Sequence, residues 1–339
     1  YRGASRTRYL RSYFNFFARA AALATRRSFS ARYDLVIVCT MPDVAILSAL
    51  PCRLFGSRIV LDIHDTMPEL YQDKFQGGRG RLGARLLMAG ERLSAWMADR
   101  VLAVHDLHAA RLRQAGIPAG KIVVVTNGPD PRIFKPGFYR ARGPANGEPF
   151  TVVCHGTVTR RLGLVTAIEA MALLRGRLDD VRLRIIGAGD YLGEIKALSR
   201  RLGVEQIVSF EDPVPIHQLP EALSASTVGL VPNYRTSATQ LMLPVKLLEF
   251  ATLGIPVIAA RLRTIEHYFG AQAVRYFTPG DSRDLARAIE DLYFNPAQRA
   301  ALSQRAAAVV EALSWPTQSL RYYQAIDSLL DHHKELLSA

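Results

Sequence analysis

Leu243–Ala260 reads LPVKLLEFATLGIPVIAA, a helix handed directly to a buried strand. Leu247, Leu248 and Phe250 give an apolar helical face, Gly254 can leave the helix with positive φ, and Pro256 opens the next element. The VIAA run is apolar at every position, the pattern of a strand covered on both faces. Helix, glycine stop and fully apolar strand in that order predict a parallel sheet with crossover helices.

The same unit recurs on both sides. Upstream and downstream lie the strand-like runs Thr151–Cys154, Val181–Ile186, Gln206–Phe210, Val228–Val231 and Ala273–Phe277, with helical patterns such as Leu164–Leu174 and Tyr191–Leu202 between them. An earlier series holds Leu35–Cys39, Arg58–Leu61, Val101–Val104 and Ile122–Val125, again nearly all apolar and therefore expected to be covered on both faces. Between the two series, Lys135–Pro149 (KPGFYRARGPANGEP) has the prolines and glycines of a linker. The expected fold class is α/β: two doubly wound, Rossmann-like parallel-sheet domains facing across a cleft, with ligands outside the carboxyl ends of the strands. The expected domains are residues 1–140, with a basic aromatic N-terminal arm, and 150–315. Helical composition fills Ser282–Ala312, and a C-terminal helix over residues 316–339, set off by Pro316, is expected to pack back on the first domain.

The 339 residues, 49% hydrophobic and 22% charged, suit two domains of this kind and exclude disorder, collagen and coiled coil. The formal charge of +13 calls for an anionic partner: a phosphorylated substrate, lipid headgroups or nucleic acid. Residues 1–32 hold eight arginines and no acid, so much of the excess sits in the arm. Within it, Tyr9–Phe29 is either a membrane-surface helix inserting Tyr13, Phe14, Phe16 and Phe17, or a helix packed on its own sheet with solvated arginines. Outside the arm neither a recognition helix nor a stacking motif appears, which argues against nucleic acid. Cys39 and Cys154 lie in strand-like runs and read, with Cys52, as reduced core thiols of a cytosol-like compartment. The best apolar stretch, Leu35–Phe55, is broken by Pro42, Asp43, Pro51 and Arg53, so no bilayer span is expected there.

Four strand-end clusters carry polar groups. LDIHDTMPEL (Leu61–Leu70) offers Asp62, His64, Asp65 and Glu69, a histidine among carboxylates suited to holding a proton or orienting a hydroxyl; the alternative is a capped loop. Its spacing fits no standard zinc pattern. CHGTVTRRLG (Cys154–Gly163) places Gly156 where backbone can approach a ligand and Arg160 and Arg161 where they can meet phosphate, or else forms a solvated basic turn. GAGDYLG (Gly187–Gly193) follows a strand as a phosphate loop would, but its glycine spacing is not the dinucleotide fingerprint. In the opening stretch, Lys246 and Glu249 share a helix face, fit for phosphate and for ribose hydroxyls, or form only an exposed ion pair.

In order, LDIHDTMPEL, VVVTNGPDPRIF (Val123–Phe134), HGTVTRRLG, GAGD and KLLEFATLGIPVIAA resemble a family 4 glycosyltransferase of the GT-B fold, over about Leu35 to Trp315. The resemblance implies a retaining transfer of sugar from a nucleotide donor, with no metal or other cofactor. The sequence indeed contains no Asp-x-Asp. It implies His64 and Asp65 beside the reacting sugar, Arg161 and Lys246 on the diphosphate, Glu249 on the ribose, and Gly156, Gly187 and Gly189 lining the nucleotide. Leu241 stands where such enzymes carry a first acid ahead of Glu249, and Leu162 where they often carry lysine. Relatives also open with a strand and glycine-rich loop ahead of the first strand seen here, so those elements are expected to be missing. The implied setting is bacterial surface-polysaccharide or lipid-linked glycan synthesis, with a glycan or lipid-linked acceptor, in the cytoplasm or on the inner membrane face. The competing expectations are a non-catalytic, truncated relative that binds a nucleotide or partner, and a sugar-nucleotide epimerase of the same architecture.

Overall fold

Every strand pairing in the computed structural model, which describes residues 6–40, 43–75, 78–136 and 148–338, is parallel. The chain forms two units, Tyr1–Thr126 with Gln318–Ala339, and Asn127–Thr317. The boundary precedes the linker because Phe134, 2% exposed, packs in the second unit's core. Most of the linker, residues 137–147, lies outside the described residues.

In the first unit, helix α1 (Arg6–Ser30) precedes β1 (Leu35–Cys39), α2 (Leu50–Arg53), β2 (Arg58–Ile63), α3 (Met67–Lys74), α4 (Gly78–Met97), β3 (Arg100–Ala103), α5 (Asp106–Gln114) and β4 (Ile122–Val124). The sheet order is β1-β2-β3-β4. Side chains alternate across it: Ile59, Leu61, Ile63, Val101 and Ala103 join Ile46, Ala95, Ala109 and Leu112 on one face. On the other, Val60 and Leu102 meet Ala325, Ile326 and Leu329 of the C-terminal helix, Trp315–Ser338. The chain leaves at Thr126 and returns at Gln318, whose buried Oε1 accepts the Thr126 N–H at 3.0 Å.

Two expectations are corrected here. The strand β1 is not covered on both faces: it lies at the sheet edge with Ile37 39% exposed, and Cys39 at its end is an exposed thiol, unlike buried Cys52 and Cys154. The four arm aromatics do not share a face either. Phe14 and Phe16 are two residues apart, about 200° around a helix, and both are exposed, whereas Phe17 turns inward onto the core with Tyr13 stacked 6.1 Å away. Farther along α1, the Ser28 hydroxyl contacts Cys52 Sγ at 3.5 Å, so the described arm is a helix packed on its own unit.

The second unit runs β5 (Phe150–His155), α6 (Leu164–Leu174), β6 (Val181–Ile186), α7 (Leu192–Arg201), β7 (Val208–Glu211), α8 (Leu219–Ser224), β8 (Val228–Val231), α9 (Ser237–Gln240), α10 (Val245–Thr252), β9 (Val257–Ala260), α11 (Arg263–Phe269), β10 (Arg275–Phe277), α12 (Ser282–Phe294) and α13 (Pro296–Ala312). The helix Trp315–Ser338 is α14. The helical composition of Ser282–Ala312 is thus two helices, split at Asn295, whose Oδ1 accepts the Gln298 N–H ahead of Pro296.

The sheet order is β10-β9-β8-β5-β6-β7. From β5 the chain builds outward through β6 and β7, then crosses to β8 and builds the other way, so β5 and β8 flank the topological switch point. Helix α10 is fixed beside it by its C-terminal half. Gly254 (φ 74°) ends the helix, with Ile255 N–H donating to Phe250 O at 2.9 Å and Gly254 N–H to Ala251 O at 3.1 Å. Phe250, fully buried, lies on Gly229 of β8, where an added Cβ would sit 2.5 Å from its ring. Gly229→Ala should therefore lower stability by about 1–3 kcal/mol in urea unfolding; an unchanged midpoint would show that α10 does not depend on this contact.

Candidate functional site

The loops after β5 and β6 are zipped together by backbone at the switch point. Gly156 N–H donates to Ile186 O and Val158 N–H to Ala188 O, each at 2.9 Å. A Cβ on Gly187 would fall 1.9 Å from Gly156 O, and one on Gly189 2.0 Å from Val158 O, so only glycine lets these loops meet. The loop after β8 is tied in by Tyr234 N–H donating to Arg161 O at 3.0 Å. Arg161 thus anchors the loop through its main chain, and its side chain is half-buried.

Helix α10 brings charge to this frame. Lys246, in its first turn, stands over Gly156, where a Cβ would be 3.8 Å from Nζ. Its charge also opposes the effect of burial, which pushes the Cys154 thiol up. Glu249 is not an exposed partner of Lys246. It is buried, 3.2 Å from Nε2 of buried His155 but without hydrogen-bond alignment. His155 Nε2, Thr159 Oγ1 and Asn233 Oδ1 are buried without a hydrogen-bond partner in these loops, and such groups call for explanation. A frame with a lysine, a buried carboxylate and open backbone can hold an anion beside a polyhydroxylated group.

In the first unit, β2 extends through Ile63, so Asp62 belongs to the strand and His64 to the loop beyond it. His64 Nε2 lies 3.2 Å from Asp62 Oδ2, and the His64 N–H donates to Thr40 Oγ1 at 3.2 Å. Burial raises the Asp62 carboxyl above its ordinary value, and His64 opposes the rise. Tyr322 of α14 senses Asp62 and Cys39, though burial is the larger reason its hydroxyl is raised. Cys39, Asp62 and His64 carry donor atoms within 4.8 Å of one another, three groups able to ligate a divalent cation, one fewer than a closed zinc site uses.

The other two members of LDIHDTMPEL go elsewhere. Asp65 is exposed and offers its carbonyl to Met67 N–H. Glu69, on α3, turns to Arg111 at 3.3 Å, which also binds Glu91 at 2.5 Å. Burial would raise the Glu91 carboxyl, but His108 and Arg111 hold it below the usual range. That buried network fastens α3, α4 and α5 together.

Residues 137–309 match the glycosyl transferases group 1 family, and residues 2–128 a glycosyl transferase 4-like domain. The chain belongs to the glycosyl transferases group 1 family. Among curated relatives of this family, WcaL of Escherichia coli, named for colanic acid biosynthesis, is 30% identical over 191 residues, 56% of this chain and 46% of WcaL. A D-inositol 3-phosphate glycosyltransferase of Arthrobacter is 27% identical over 298 residues, 83% of this chain and 68% of that protein. The chain thus spans about half the length of the first relative and two thirds of the second. The crystal structure of Anabaena HepE in complex with UDP superposes with a TM-score of 0.73 at 19% identity, covering 91% of this chain and 82% of HepE. The two units have the GT-B fold.

Of the residues singled out in the sequence, Gly156, Gly187, Gly189, Lys246 and Glu249 come together around β5, β6 and α10, with Arg161 in the adjoining loop. His64 meets Asp62, while no side-chain contact links it to Asp65 among the described contacts. His155, Asn233, Thr40 and Tyr322 were not singled out. His155 has a local signal, since it follows the apolar run Val152–Cys154 directly before Gly156; Tyr322 comes from a distant helix and gives none.

Carboxyl-resolved NMR titration should find Asp62 above 3.8, and higher still in His64→Ala, which removes the opposing charge. The native state then holds this proton more tightly than the unfolded chain. The group's contribution to stability is full below pH 3.8 and is lost as pH rises through the folded value. A downward shift in His64→Ala would refute the pairing.

Proposed function

We propose that this chain transfers a sugar from a nucleotide-sugar donor to a glycan or lipid-linked acceptor, with retention at the anomeric carbon, in bacterial surface-glycan synthesis. The observation that carries the reading is Lys246 and buried Glu249 on one helix face, beside Gly156 at the switch point of a chain in this family. The UDP in the HepE complex and the names of the curated relatives point the same way.

In this reading Lys246 and Arg161 neutralise the diphosphate, Glu249 accepts from the ribose hydroxyls, and Gly156, Gly187 and Gly189 let backbone approach the donor. The sugar–phosphate bond breaks with its electron pair left on the diphosphate, and the acceptor hydroxyl forms the new bond as it loses its proton. Charge developing on the leaving oxygen is where a fixed cation is worth most. His64, oriented by Asp62, holds a hydroxyl of the reacting sugar or acceptor, with Asp65 near it. In this reading the reaction needs no metal. Among the described residues no helix is long and apolar enough to cross a membrane. The proposed location is the cytoplasm, with peripheral attachment to the inner membrane face through the arginine-rich residues 1–32.

Calorimetry with UDP, GDP and ADP in chelator should find one that binds, and Lys246→Ala and Glu249→Gln should each weaken it about tenfold or more. Equal affinity in both variants would remove the donor site from α10. His64→Ala should leave that affinity intact and slow transfer about 100-fold; a diphosphate affinity that falls with it would place His64 on the donor instead.

A further inference from the structure

Helix α4 carries an apolar seam on its outer side. Leu82, Leu86, Ala89, Leu93 and Trp96 follow one another four and three residues apart in alternation, which keeps them on one face. All five are exposed, Leu82 by 61%, Leu86 by 67%, Leu93 by 52% and Trp96 by 65%. The seam runs about 21 Å. The opposite face is built of small residues, Ala84, Ser94 and Ala95, buried against the unit, and of Glu91, locked to Arg111. The helix is held firmly while its bulky apolar side chains point to solvent, the reverse of the usual arrangement.

Charge selects the occupant. Exposed Arg81, Arg85 and Arg92 flank the seam, and the helix's sole acid, Glu91, is buried on the other side. A second copy docked seam to seam would meet arginine with no carboxylate of α4 to pair with it. A convex helix surface also lacks the groove that a peptide needs. A flat anionic layer with an apolar interior satisfies both features, and a tryptophan at one end of the seam suits its boundary. Helix α1 adds exposed Arg11, Arg19 and Arg26, and both helices pack on the 3-10 turn Asp43–Ser48.

We propose that the Leu82–Trp96 face of α4 docks on an anionic lipid bilayer, with the leucines and Trp96 entering the headgroup boundary and the arginines at the phosphates. This deepens the membrane attachment suggested above by moving its apolar contact from the arm aromatics to α4.

The test uses the whole chain carrying Trp315→Phe, so that Trp96 is the fluorescent reporter, with vesicles of phosphatidylcholine alone or mixed with phosphatidylglycerol. Trp96 emission should shift to the blue and the protein should float only with the anionic vesicles, less at high salt. Leu86→Gln with Leu93→Gln should weaken partitioning about tenfold or more while leaving nucleoside-diphosphate binding unchanged. Absence of flotation, or flotation indifferent to the double variant, would overturn the proposal. So would loss of flotation in Arg11→Gln, Arg19→Gln, Arg26→Gln alone with the α4 variant unaffected, or a concentration-dependent dimer that the α4 variant abolishes in the absence of vesicle binding. Because diphosphate binding is read separately, either result leaves the donor-site reading to stand or fall by itself.

Discussion

A glutamate buried beside a buried histidine is the constraint at the switch point of the second unit on which the candidate site depends. Glu249 lies 3.2 Å from His155, both buried, at the end of β5. Burying such polar groups without hydrogen-bond alignment is costly, and apolar side chains of similar volume would serve packing as well. Their position is costly for stability and informative about chemistry. Phe250 pressed on Gly229 and the glycine cap at Gly254 hold α10 against this cost, so the same helix that seals the core also carries Lys246 and Glu249 to the switch point.

The neighbouring loops show how packing and ligand approach coincide. Gly187 and Gly189 are required by the backbone of the adjacent loop, whether or not a donor is present. Gly156, with φ 103°, opens its backbone toward Lys246. Rigid loops and a firmly capped helix pre-set the distances between backbone, ammonium and carboxylate, which lowers the ordering cost of binding.

The strands at Val228–Val231 and Val257–Ala260 were legible residue for residue because each is free of polar side chains, and Val181–Ile186 because apolar residues alternate with Arg182 and Arg184 ahead of Gly187. Sequence pattern failed where it does not encode neighbours. Leu35–Cys39 looks as apolar as a central strand, yet it lies at an edge, which exposes Cys39. Glu69 is near His64 in sequence, but one turn of α3 carries it to Arg111. The leucines of α4 have the spacing of a core stripe; only packing reveals that the small residues between them face inward. In the cluster around β5, β6 and α10, charged residues and glycines could be named from motif order, whereas Asn233 needed the β5–β8 adjacency.

We propose that the β5, β6 and α10 ends form one nucleoside-diphosphate cradle. Hydrogen–deuterium exchange with and without the diphosphate that binds tests it directly. Added protection should be concentrated in residues 155–163, 187–192 and 244–250. Protection confined to other segments of the second unit, or absent at saturating ligand, would contradict the account.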